Sequence, residues 1–136
     1  MSKDNIAKIN IKENVIDERR KEVKLKIQIK DKVYKNTFYS RHVLDSHRTK
    51  IIAFIDALEL ILNKTKVRKF SLYTDDAFLY NLLAGDLLYK YKQNHWFDYN
   101  GKRLSNKSLY EYLLKLLGYF YIEEVLYIKS KQEKGC

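Results

Sequence analysis

Three stretches near the start of the chain alternate between apolar and polar positions: IAKINIKENV, EVKLKIQIKDK and VYKNTFYS, spanning residues 6–40. In the second, Val23, Leu25, Ile27 and Ile29 fall on one side and Lys24, Lys26, Gln28 and Lys30 on the other. That period of two is the signature of a strand with one buried and one wet face. Short polar connections between the stretches predict an antiparallel meander. From Ser46 the rhythm becomes helical. Asp45 or Ser46 can cap the helix, and Ile51, Ile52, Ile55, Leu58, Ile61 and Leu62 give it a wide apolar face through Asn63. VRKFSLYT then returns to strand, with Phe70, Leu72 and Thr74 on one side and Ser71, Tyr73 and Asp75 on the other. Asp75 therefore closes a strand at its carboxyl end. A second helix is predicted from about Asp76 to Lys92, followed by the polar, aromatic connection QNHWFDYNGKRLSNKS. A third helix carries Leu109, Leu113, Leu116 and Leu117 to a stop near Gly118, and YIEEVLYIK reads as a last strand. The pattern predicts an α/β chain: a three-stranded antiparallel meander, then helix, strand, two helices and strand, with the helices packed on a mixed five-stranded sheet.

A chain of 136 residues is long enough for one core and too short for two. Proline is absent and glycine occurs 4 times, so nothing marks a linker. The reading is one domain over residues 1–128 and a mobile polar tail, KSKQEKGC, over residues 129–136. The single cysteine is Cys136, which excludes an intramolecular disulfide and a thiolate metal cluster. His42, His47 and His95 have no ligand spacing with any acid or cysteine, which argues against zinc. The start, MSKDNIAKIN, has no apolar leader, and no run approaches the ~20 apolar residues of a membrane span. A soluble, cytoplasmic protein with no membrane association is expected.

Charge changes the picture more. Lys and Arg total 27 against 17 acids, a net charge of +10, and such a balance points first to a polyanion, most simply nucleic acid. Charge alone does not choose among DNA, RNA and an anionic membrane, and lysine-rich surfaces also serve solubility. The lysines of the first strands (Lys24, Lys26, Lys30, Lys32, Lys35) read either as a wet sheet face or as a second anion surface.

The order of elements and several local motifs resemble type 1 ribonuclease H, the small nuclease that cuts the RNA strand of RNA/DNA hybrids. IIAFIDALELI is similar to that family's first helix, and FSLYTDDAFLYN to its strand ending in Thr-Asp before a helix. HWFDYNGKRLSNKSLYEYLLKLL is similar to its tryptophan, basic turn and following helix start, and VLYIKSKQ to its last strand. The resemblance runs over nearly the whole chain and implies a ribonuclease H-like fold. It also implies chemistry in which about four carboxylates hold two Mg²⁺ ions at the scissile phosphate.

The acids needed for that chemistry are mostly missing. Asp75 matches the family's strand aspartate. Lys50 stands where the first helix has its glutamate, and Asp56 and Glu59 lie too far along the helix to replace it. The first strand offers only Glu13, and the chain ends where the family continues through a histidine loop into a helix carrying another acid. The resemblance is therefore to a degenerate member lacking most catalytic carboxylates and the last helix. The expected cofactor is none, with Mg²⁺ only if the chain is active.

For Asp75 and Asp76, weak metal ligation competes with helix capping, which is worth about 1 kcal/mol. For Asp75 and Lys50 an ion pair across the former catalytic floor is a further reading, against an ordinary exposed lysine. In YKYKQNHWFDYNGKRLSNKS, Lys90, Lys92, His95, Lys102, Arg103 and Lys107 alternate with Tyr89, Tyr91, Trp96, Phe97 and Tyr99. Lysines suit phosphates and aromatic rings stack on bases, and the family grips the DNA strand of the hybrid with this region. The bland alternative is that the aromatic residues only anchor the loop.

Three functions follow. The leading one is a non-cutting domain that binds duplex or hybrid nucleic acid, with Lys90, Lys92 and Trp96 as its main contacts. The second is a protein-interaction scaffold or homodimer, with a partner covering an apolar surface left open by the absent last helix. The third is a metal-dependent nuclease using Asp75, Asp76 and Glu13, or acids supplied by a partner chain.

Overall fold

The structure, a computed structural model, describes residues 6–40, 46–97 and 100–128. The expected caps Asp45 and Ser46, His42, Tyr99 and the polar tail with Cys136 lie outside the described residues or side chains. The meander forms as its alternation requires: β1 (Ile6–Val15), β2 (Lys21–Ile29) and β3 (Lys32–Ser40) pair antiparallel in sequence order. The long helix α1 (Ser46–Lys64) then crosses to β4 (Lys69–Thr74), which pairs parallel with β1. Three helices follow, α2 (Ala77–Leu83), α3 (Leu87–Gln93) and α4 (Lys107–Leu117), before β5 (Tyr121–Tyr127) pairs parallel with β4. The sheet order is β3-β2-β1-β4-β5. A mixed five-stranded sheet with helices packed on it is the architecture the sequence predicts.

One core holds these layers together. Ala7, Ile9 and Ile11 of β1, Val23, Leu25 and Ile27 of β2, and Phe70 and Leu72 of β4 are buried on the face that receives α1. That helix inserts Ile51, Phe54, Leu58 and Ile61, and α4 closes over it with Tyr110, Leu113 and Leu116. Each such side chain contributes about 1.5–3 kcal/mol by leaving water. Phe54 and Phe120 both meet Phe70 edge-on, at 5.7 and 5.8 Å between ring centres.

Two expectations need correction. The helix predicted over Asp76–Lys92 is broken at Ala84–Asp86 into α2 and α3. Asp86 adopts φ 58°, a left-handed conformation that ends one helix and re-aims the next. At Gly85 a Cβ would stand 3.0 Å from the Asn81 carbonyl oxygen, so the break closes tightly around a glycine. Leu82 and Leu88 continue an apolar rhythm across the break, which hides it from periodicity.

The second correction concerns the uncovered surface. Across β1–β3 the sheet face opposite α1 is lined chiefly by Lys8, Lys12, Lys24, Lys26 and Lys35, all exposed, with Val33 and Tyr39 as its exposed apolar side chains. More exposed apolar groups collect on β5, at Tyr121, Ile122, Leu126 and Tyr127. Among the described residues no helix is long and apolar enough to cross a membrane.

Candidate functional site

The parallel pairing of β1 with β4 sets Ile11 beside Thr74, so β4 ends while β1 runs on to Val15, and Glu13 arrives next to Asp75. The Glu13 backbone N–H donates to both carboxylate oxygens of Asp75, at 3.1 and 3.3 Å. Asp76 caps α2, its Oδ2 accepting from the Leu79 N–H at 2.8 Å, while its own N–H donates to the Thr74 hydroxyl at 3.1 Å.

Lys50 rises into this corner from the early turns of α1. Its Nζ lies 2.6 Å from Asp76 Oδ1 and 3.1 Å from Glu13 Oε2, and its side chain is only 4% exposed. Lys21 approaches the same Glu13 oxygen at 3.8 Å. Burial opposes a charged Lys50 more strongly than any other single influence, yet Asp76 and Glu13 together raise its pKa above the usual lysine value. The Asp75 pKa is raised as well: burial pushes its carboxyl up against the Glu13 N–H bond that lowers it. His47, one turn before Lys50, stacks on Phe78 at 3.9 Å, and its burial there lowers its pKa despite the nearby Asp76 charge.

The ion pair expected between Lys50 and Asp75 is therefore replaced by pairs to Asp76 and Glu13. Asp75 directly follows the last residue of β4 and accepts from the Glu13 backbone N–H of β1. Asp76 stands at the helix start, within reach of α1. Capping, the alternative reading for Asp76, is present.

A Mg²⁺ pair of the kind the resemblance implies does not fit these donors. Asp76 is committed to Leu79 and Lys50, Glu13 Oε2 faces the Lys50 ammonium, and Asp75 accepts from the backbone. Among the described residues no group of three or more His, Cys, Asp and Glu side chains is placed to hold a metal ion. Of the expected metal ligands, Asp76 pairs with the buried Lys50 ammonium and Asp75 accepts from the Glu13 backbone N–H.

The basic, aromatic segment stands apart from this corner. From α3 the chain turns through His95 and Trp96, both at positive φ (57° and 69°). It folds back so that Phe97 bridges Arg103 and the Leu104 N–H donates to the Trp96 carbonyl at 2.9 Å. Lys90, Lys92, His95, Lys102, Arg103 and Lys107 are exposed there. Trp96 is not. It is buried to 8% exposure, its ring parallel to Tyr110 at 6.3 Å, and Tyr91 meets the same tyrosine at 5.4 Å. Burial pushes the Tyr110 hydroxyl up to about 12, so the anchor is uncharged at any ordinary pH. Trp96 thus fixes the protrusion from beneath, and the rings of Tyr89 and Phe97 are exposed on it.

Sequence reasoning missed His47 and left Glu13 without a register. The spacing of His47 and Lys50 on one helix, three residues apart, was the available signal for the first. The second needed the parallel pairing of β1 with β4, which no local pattern encodes.

Comparison with known proteins agrees with the architecture. No protein-family model matches the chain, and no curated protein does. Solved structures do. LC9-RNase H1, a type 1 ribonuclease H with the type 2 active-site motif, superposes with a TM-score of 0.66 at 11% identity, over 92% of this chain and 63% of its own. The chain thus spans less than two thirds of that neighbour. RNase H1 from Halobacterium salinarum gives 0.59 at 13% identity, covering 91% of this chain and 86% of the other. The foamy viral protease-reverse transcriptase solved with dsDNA gives 0.59 at 10% identity, over 94% and 81%. The chain has a ribonuclease H-like fold.

Proposed function

We propose that this ribonuclease H-like chain binds duplex or RNA/DNA hybrid nucleic acid without cutting it. Lys90, Lys92, His95, Lys102, Arg103 and Lys107 grip the phosphates, and Trp96 holds their platform rigid. The observation that carries the reading is Lys50: a buried ammonium paired with Glu13 and Asp76 occupies the floor where a two-metal nuclease needs converging acids. Ribonuclease H-like neighbours solved with dsDNA and with RNA/DNA hybrid support the choice of ligand. Asp75 has no catalytic role in this account and serves as a strand-end acceptor for β1. Shape and phosphate contacts dominate, so affinity falls steeply with salt and depends little on sequence.

A gel-shift titration with a labelled hybrid tests this. The Lys90→Gln, Lys92→Gln, Arg103→Gln triple variant is expected to reduce the slope of log affinity against log salt by about 2–3 if each side chain meets a phosphate. Its melting temperature should stay close to wild type, because exposed substitutions change stability by only about 0.5 kcal/mol. An unchanged slope would reject the protrusion as the grip.

A second reading, a dimerisation scaffold, is favoured by the exposed edge strand β5 with Tyr121, Ile122, Leu126 and Tyr127 on its surface. Self-association that is insensitive to salt and lost in Ile122→Lys would support it over simple nucleic-acid binding.

A further inference from the structure

The open face of the meander carries an arrangement that folding alone does not favour. In the β1–β2 register Lys12 stands directly opposite Lys24, and in the β2–β3 register Lys26 stands directly opposite Lys35. Like charges in directly opposed cross-strand positions destabilise a sheet. Lys24 has a carboxylate for company, its ammonium lying 3.7 Å from Glu22. For Lys12, Lys26 and Lys35 no carboxylate lies within ion-pairing distance among the described residues. These side chains, with Asn10, Lys24 and Thr37, line a shallow concavity of about 400 Å³ without a single acid in its wall.

Its surroundings suit an extended strand. Lysines two apart along β2 repeat at about 6.6–6.8 Å on one flat face. At the end of the same face Tyr39 projects from β3 opposite Glu22 and is 67% exposed, offering a ring without a partner in the core. A groove of cations that tracks a backbone, beside an exposed aromatic ring, is the general recipe for holding single-stranded nucleic acid.

We infer that the open face of β1–β3 is a second nucleic-acid surface, which takes a single strand by its phosphates at Lys12, Lys26 and Lys35 and stacks a base on Tyr39. This rests on the nucleic-acid reading above but uses different residues from the protrusion. The like-charge pairs are the cost of the site, and a polyanion laid across them removes it.

The test uses oligothymidylate with the full chain and compares wild type with two triple variants. Lys12→Gln, Lys26→Gln, Lys35→Gln is expected to weaken oligothymidylate binding at least tenfold and to lower the salt slope by about 2. It should melt at or above the wild-type temperature, since the opposed charges are gone. The protrusion variant should keep oligothymidylate binding while losing the hybrid, and Tyr39→Ala should weaken the single strand alone. Unchanged oligothymidylate binding in the open-face variant would overturn the inference and leave the protrusion reading intact. Equal loss in both variants, or binding of the wild type to anionic phospholipid vesicles but not to oligothymidylate, would also overturn it. Loss of hybrid binding by the protrusion variant alone, with no single-strand binding by the wild type, would remove this site and keep the other.

Discussion

Lys50 and Lys90 carry the same ammonium group in opposite physical situations. Lys50 is buried, with Asp76 and Glu13 within 2.6 and 3.1 Å, while Lys90 stands exposed on the last turn of α3. In the first case charge is locked into the fold and is unavailable to a ligand. In the second it contributes little to stability and can be given wholly to a phosphate. The basic side chains thus fall into two physical classes. One is buried against the acids Glu13 and Asp76, and the other faces solvent.

Removing Lys50 should break this contrast most severely. Lys50→Met leaves Glu13 and Asp76 facing each other without compensation. A loss of about 3 kcal/mol is expected, with a melting-temperature drop on the order of 10 °C, measured by thermal or urea unfolding. A drop no larger than that of Lys90→Met would mean that the buried pair is not a structural element. Because the folded state raises the Lys50 pKa, its stabilisation is complete below the ordinary lysine value near 10.5 and fades as pH climbs through the raised one. The gap between wild type and Lys50→Met should therefore narrow only in strong alkali.

Asp76 sharpens the comparison, because one carboxylate serves both the α2 cap and Lys50. Asp76→Ala loses both, whereas Asp76→Asn keeps an acceptor for the Leu79 N–H. Urea unfolding is expected to separate the two variants by about 1 kcal/mol, the worth of the cap. Equal loss in both would assign the whole effect to charge.

Asp75 should give the smallest effect and an inverted pH dependence. A raised carboxyl pKa means that the folded state holds the proton more tightly than the unfolded chain, so Asp75 costs stability as pH rises from its ordinary 3.8 through the raised value. Asp75→Asn keeps an oxygen for the Glu13 N–H and removes that cost. Unfolding midpoints measured from pH 3 to pH 7 should show the variant equal to wild type in acid and equal or slightly more stable at neutrality. A variant that becomes progressively less stable than wild type toward neutrality would show that the ionised carboxylate is needed.

Much of this organisation is legible in the chain itself. Alternation places β1 to β3 within three residues, since one face of each strand meets α1 and the other meets water. The helical face of Ile51, Ile55, Leu58 and Ile61 was equally plain. The break between α2 and α3 was not, because Leu82 and Leu88 keep an apolar rhythm across it while Asp86 turns the backbone by a left-handed φ. At the site, the TDD motif correctly located a strand end and a cap. It misassigned the partner of Lys50 because neighbouring aspartates at a strand-to-helix junction point in different directions. Trp96, offered as a ligand contact, is buried against Tyr110, a long-range packing choice that local composition does not reveal.

The most direct test incubates the purified chain with a labelled RNA/DNA hybrid in Mg²⁺ and, separately, in Mn²⁺, following strand cleavage and gel shift in the same tubes. The account predicts a salt-sensitive shift with both strands intact, the same in Asp75→Asn as in wild type. Metal-dependent cleavage of the RNA strand that disappears in Asp75→Asn would contradict it and make the corner around Lys50 a working nuclease site.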